Sequence, residues 1–162
     1  MMLEMTATVE PSPRTLIIGV GDVRRSDDGV GSVVAERLLV AGLPEGVTVT
    51  EGAAGGLDLV IEMEDFDRVI IIGAFDTGAA PGTVTVFTPD DLDAGTVVVA
   101  DSPRRVSLVD VLELATMAGV APEAHIVAVQ PNMIAPGYEL TEEVEGAVEE
   151  ACEAVRGIVR GE

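Results

Sequence analysis

The chain has 162 residues, about one domain's worth, and a formal charge of −20 at neutral pH, with nine basic residues, all arginine. Charge of that sign repels phosphate backbones and anionic lipid, so neither nucleic acid nor a membrane is an expected partner. One cysteine, Cys152, excludes an internal disulfide and a multi-cysteine metal cluster.

The opening "MMLEMTATVEPSPR" lacks a basic start followed by an apolar run, so no signal peptide is expected and the chain is placed in the reducing cytoplasm. Residues 1–13, closed by Pro11 and Pro13, are expected to form a flexible tail, and 14–162 a single domain. "TLIIGV" (15–20) is continuously apolar, the pattern of a strand buried on both faces. "GDVRRSDD" follows as a loop. From Gly29 the apolar residues Val30, Val33, Val34, Leu38 and Ala41 fall at helical spacing, and Asp27 or Asp28 is expected to cap that helix. "VTVT" (47–50) reads as a second strand, "GGLDLVIEME" (55–64) as a helix and "RVIII" (68–72) as a third strand. Pro81-Gly82 marks a turn, and the alternation Thr83-Val84-Thr85-Val86 predicts a half-exposed antiparallel strand at a sheet edge. "SLVDVLELATMAGV" (107–120) reads as a helix, with Ser107 and Asp110 at capping-box spacing and Gly119 as its stop. "HIVAVQ" (125–130) is another buried strand. Residues 141–160 read as one final helix whose stripe is Val144, Val148, Ala151, Cys152, Val155 and Ile158.

This order predicts an α/β three-layer sandwich: a mainly parallel twisted sheet of about five strands, one antiparallel edge strand, and helices on both faces. A site in such a sheet lies beyond the carboxyl ends of the strands. That edge carries Asp22, Asp27 and Asp28 after the first strand, Glu51 after the second, Gly73 and Asp76 after the third, and Gln130 and Asn132 after the last.

"GVGDVR" begins like a dinucleotide fingerprint but has Arg24 at the third glycine, and Asp22 and Asp27 would repel a pyrophosphate, so nucleotide binding is a weak reading. His125 opens a strand and reads as structural, Cys152 as inert core, and Asp58, Asp65 and Asp67 as solvated charges. Arg104 and Arg105 stand side by side in "DSPRRVSLVDVL". An arginine cannot ligate a metal at ordinary pH, so the pair reads as charge compensation for the acidic edge, as a grip for a partner's carboxylate, or, for Arg105, as plain surface.

Five segments together, "LIIGVGDVRRSDDGVGSVVAERL", "EGAAGGLDLV", "RVIIIGAFDTGAAPGTV", "DSPRRVSLVDVLELA" and "AVQPNMIAPGYELTEEV", resemble in order and spacing the motifs of the nickel-iron hydrogenase maturation proteases, over roughly residues 15–160. The resemblance implies an endopeptidase that removes a C-terminal peptide from the nickel-loaded precursor of the hydrogenase large subunit. It implies no metal cofactor of the enzyme's own, the nickel being the substrate's. Of the three nickel-recognition positions that it implies, the first is Asp28, retained as the candidate catalytic and metal-contacting residue. The second falls on Gly73 and the third on Arg104, both substituted, and the family's asparagine after the first glycines is Asp22. Asp22, Asp76 and Asp101 are possible compensating carboxylates around Asp28, in a site suited to hard cations. The substitutions also leave open a non-catalytic relative that binds a hydrogenase subunit or accessory factor.

Overall fold

A computed structural model describes residues 13–52, 57–99 and 108–162. Five strands form one sheet: β1 (Thr15–Val20), β2 (Val47–Gly52), β3 (Arg68–Ala74), β4 (Val84–Phe87) and β5 (Glu123–Val129), in the order β2-β1-β3-β5-β4. All neighbours are parallel except β4 and β5, so the alternating segment is the antiparallel edge strand that its pattern predicts. The strand run at 15–20 and every residue of β3 are buried, Arg68 included. Arg68 is satisfied at the amino edge by Thr15 Oγ1 (3.1 Å) and the Val159 carbonyl (3.1 Å), a buried charge that an apolar reading of this strand overlooks.

Helices α1 (Val30–Ala41) and α6 (Val148–Val159) cover one face of the sheet, packing Val30, Val34 and Leu38 with Val148, Cys152 and Val155 over Ile17, Ile70, Ile72 and Val127. Helices α2 (Leu57–Met63) and α4 (Leu108–Met117) lie over the other face, where Leu16, Ile18, Val69, Ile71 and Ile126 meet Leu59, Val60, Met63 and Ala115. Side chains of successive strand residues point to opposite layers, which is why one apolar run feeds both cores. No described helix is long and apolar enough to cross a membrane.

Three details depart from the sequence reading. A short helix α3 (Pro89–Asp93) follows β4, closed by a capping box in which Asp91 accepts from the Thr88 N–H (2.9 Å). The last helix is divided into α5 (Glu142–Glu145) and α6 by a tighter turn at Gly146–Ala147, marked by a bond from the Ala147 N–H to the Val144 carbonyl (3.0 Å). The apolar stripe nonetheless continues through the break, with all six of its residues buried. Third, neither Asp27 nor Asp28 caps α1, whose cap residue is Gly29 with no side-chain cap bond. The two aspartates lie instead in a single 3-10 turn, Ser26–Gly29. The expected tail, Pro13 apart, and the proposed capping pair Ser107–Asp110 involve residues or side chains outside the described set.

The glycine that lets helix and sheet approach is Gly31, on α1 itself. A Cβ there would stand 2.3 Å from the Ile72 carbonyl oxygen and 2.5 Å from that of Val20. The close-packing glycine missing at Arg24 is thus supplied seven residues later, which fixes the start of α1 directly above the ends of β1 and β3.

Candidate functional site

The carboxyl ends of β1, β3 and β5 open on a common edge, and the loop after β1 folds across it. Asp28 is 8% exposed there. Its Oδ2 accepts a hydrogen bond from the Asp22 N–H (2.8 Å), so the two acids sit at opposite ends of one loop closure. Asp22 turns its own carboxylate away, taking the Arg24 N–H (2.9 Å) and guanidinium (3.0 and 3.1 Å). The bond from the Arg24 side chain holds the Asp22 carboxyl below the ordinary value.

Asp27 points inward and is fully buried. Its Oδ2 accepts from the backbone N–H of Asn132 (2.9 Å), that of Met133 (2.9 Å) and the Thr141 hydroxyl (2.8 Å), and its Oδ1 from the Thr141 N–H (2.7 Å). Burial pushes its carboxyl up, but the donors from Met133, Thr141 and Asn132 outweigh burial and hold it below the ordinary value. Ser26 completes the seam. It adopts φ +52°, unusual for a residue with a Cβ, while its hydroxyl donates to the Ala135 carbonyl (2.8 Å) and its N–H to that of Gly137 (2.8 Å). The loop after β1 and the loop after β5 are therefore one unit, and Asp28 rides on it.

Gly73 lies inside β3, paired with Ala128 of β5. A Cβ on it would meet Val20 Cγ2 at 2.8 Å and the Phe75 ring at 3.1 Å, so neighbouring side chains fill the space where the family's second acid begins. Asp76 lies beyond β3 and accepts at Oδ1 from the Gly78 N–H (3.0 Å) and Gln130 Nε2 (3.1 Å). Gln130 returns its Oε1 to the Thr77 N–H (2.8 Å), tying the ends of β3 and β5. Among the described residues no group of three or more His, Cys, Asp or Glu side chains converges to hold a metal. Asp101, Arg104 and Arg105 lie outside those residues, as does the side chain of Glu51. His125 is away from this edge, paired with Glu123 (3.0 Å), and Cys152 is core, as read.

Sequence reasoning placed Asp28 at this edge but missed what Asp27, Ser26 and Thr141 do. Asp27 and its partners are separated by 105 to 114 positions, and no local pattern announces such a bond.

Known proteins share both sequence and architecture with this chain. It is 31% identical over 150 residues to the hydrogenase 2 maturation protease of Escherichia coli, covering 91% of each chain. It is also 31% identical over 153 residues to the hydrogenase expression/formation protein HupD of Rhizobium leguminosarum, covering 93% of this chain and 76% of that one. The solved structure of the hydrogenase maturating endopeptidase HybD from E. coli superposes with a TM-score of 0.80 at 30% identity, covering 91% of this chain and 93% of the other. The family described as hydrogenase maturation protease matches residues 33–158, well over half of the sequence, and the chain belongs to that family.

Proposed function

We infer that this protein is a hydrogenase maturation endopeptidase, which removes a C-terminal peptide from the nickel-loaded precursor of a hydrogenase large subunit in the cytoplasm. The observation that carries the reading is the placement of Asp28. Its carboxylate lies at the carboxyl edge of the sheet, fixed by the Asp22 N–H on a turn that Asp27 fastens from behind. A carboxylate with a set orientation supplies an oxygen ligand to a metal presented by the substrate. The nickel is the substrate's, and the enzyme brings no metal of its own. Recognition runs through Asp28 without the family's second and third ligands, because Gly73 has no side chain and Arg104 is a cation. Nickel therefore binds the assembled complex rather than the free protein.

The test is to mix the full chain with nickel-loaded and nickel-free precursor and follow the precursor's mass. The expected result is loss of a C-terminal fragment from the nickel-loaded form alone, slowed at least about a hundredfold by Asp28→Asn, as for removal of an essential polar contact. An unchanged precursor mass with the parent protein would overturn the proposal.

A further inference from the structure

We propose that the paired loops beside Asp28, residues 22–26 and 133–138, form a single docking surface for the large-subunit precursor, and that this surface recognises an apolar patch bearing a carboxylate. The inference rests on the endopeptidase reading and adds to it where and how the partner is held.

Four large apolar side chains stand out on these loops: Val23 (47% exposed), Met133 (49%), Ile134 (41%) and Tyr138 (81%). Isolated exposed apolar residues need no explanation, but these belong to two segments bonded to each other along their length. The Gly137 N–H donates to the Arg24 carbonyl (2.9 Å), the Ser26 N–H to that of Gly137 and the Asp27 N–H to that of Met133 (3.2 Å). The Asp27 carboxylate anchors the backbone of Asn132 and Met133 from below. A surface already ordered in this way loses little conformational entropy when a partner arrives. Its composition of one tyrosine, one methionine and two arginines among aliphatic side chains is that of an interface centre.

The charges indicate what covers it. Acids outnumber bases 29 to 9 in this chain, yet Arg25, half-buried at the 3-10 turn, has no ion pair or side-chain hydrogen bond among the described residues. Arg24 beside it is 72% exposed at its side chain and occupied by Asp22. The Asp22 carboxylate acts on Arg25 as well, but it is already bound to the Arg24 guanidinium, so one acid serves two cations and a carboxylate from outside would balance the second. A second copy of this chain suits the surface poorly, because the charge of −20 on each copy opposes self-association.

The experiment uses the full chain and immobilised nickel-loaded precursor, with binding measured by interferometry and cleavage by mass. Tyr138→Ala and Arg25→Glu should each weaken binding about tenfold and raise KM by a similar factor with kcat unchanged, as expected of contacts that bind ground and transition states alike. Arg25→Lys, which keeps the charge, should stay within about threefold. Met117→Asp, on a residue 84% exposed at the far end of α4, should match the parent. Unchanged urea midpoints would show all four variants folded. If Tyr138→Ala and Arg25→Glu bind and cut like a parent that itself binds and cuts, the docking surface is wrong while the endopeptidase reading stands. If they lower kcat at constant KM, these residues act at the reacting centre and the docking role is wrong. A parent that sediments as a dimer and dissociates on Tyr138→Ala would assign the surface to self-association and overturn the proposal. A parent that neither binds nor cuts the precursor would remove the endopeptidase reading and the docking surface with it.

Discussion

Replacing Asp27 by alanine removes one carboxylate and orphans four donors: the N–H groups of Asn132, Met133 and Thr141 and the Thr141 hydroxyl. A hydrogen bond to a charged group contributes about 1.5–3 kcal/mol net. Four such bonds would total about 6–12 kcal/mol, but three effects reduce that figure. The four share one acceptor and are not additive. The burial cost of the charge disappears with the charge. Asn132 and Met133 are exposed, so water reaches their amides once the loop relaxes. We expect a loss of about 3–4 kcal/mol, and a fall in Tm of about 6–16 °C for a chain of this size. Asp27→Asn should rescue little, because one end of its amide carries N–H groups and would face backbone donors. Asp76→Ala, whose partners are the exposed Gly78 amide and Gln130, is the comparison and should cost under about 1 kcal/mol. Urea unfolding gives the global figure, and hydrogen exchange at the Thr141 amide gives the local one, which should lose protection in Asp27→Ala before the core strands do. A loss under about 1 kcal/mol with Thr141 still protected would refute the claim that this carboxylate fastens the two loops.

Two further outcomes follow from the same geometry. Gly73→Asp should destabilise the protein by about 1–3 kcal/mol through overpacking against Val20 and Phe75, and Val20→Ala in the same chain should recover part of the loss in urea unfolding; equal stability of parent and Gly73→Asp would show that the space is open. Burial, first, and then Glu149 push the Cys152 thiol above its ordinary value of 9.0, so the folded state retains a proton that the unfolded chain releases. That contribution is complete below the unfolded value and is lost as pH rises through it toward the folded one. With no lysine in the chain and Tyr138 exposed, the urea midpoint should fall between about pH 8 and pH 10, and fall less in Cys152→Ala; identical pH profiles for the two proteins would contradict this.

The strands were legible because burial on both faces leaves a mark that needs no partner: "LIIGV" and "VIII" are apolar throughout, behind the polar Thr15 and Arg68, and "TVTV" alternates. The final helix was legible as a stripe but not as two pieces, since its break changes the turn without changing which side faces the core. The five residues of α3 are too few to show a period at all.

The triplet Asp27-Asp28-Gly29 marks where local reading stops. Two adjacent acids before a helix satisfy the pattern of an N-cap, and nothing within a few residues says otherwise. The chain uses them differently because a 3-10 turn advances about 120° per residue, which sends neighbouring side chains in different directions. One carboxylate goes inward to amides supplied by a loop more than a hundred residues away, and the other stays at the edge of the sheet, held by the Asp22 N–H. The second role depends on the first: unless Asp27 fastens the turn to the loop after β5, Asp28 has no fixed place relative to β3, and the apolar surface of Val23, Met133 and Tyr138 separates into two unconnected loops. Asp28→Asn and Asp27→Ala should therefore both lower cleavage, but Asp27→Ala should cost more stability and loosen the two loops, which separates the proposed substrate contact from the residue that positions it.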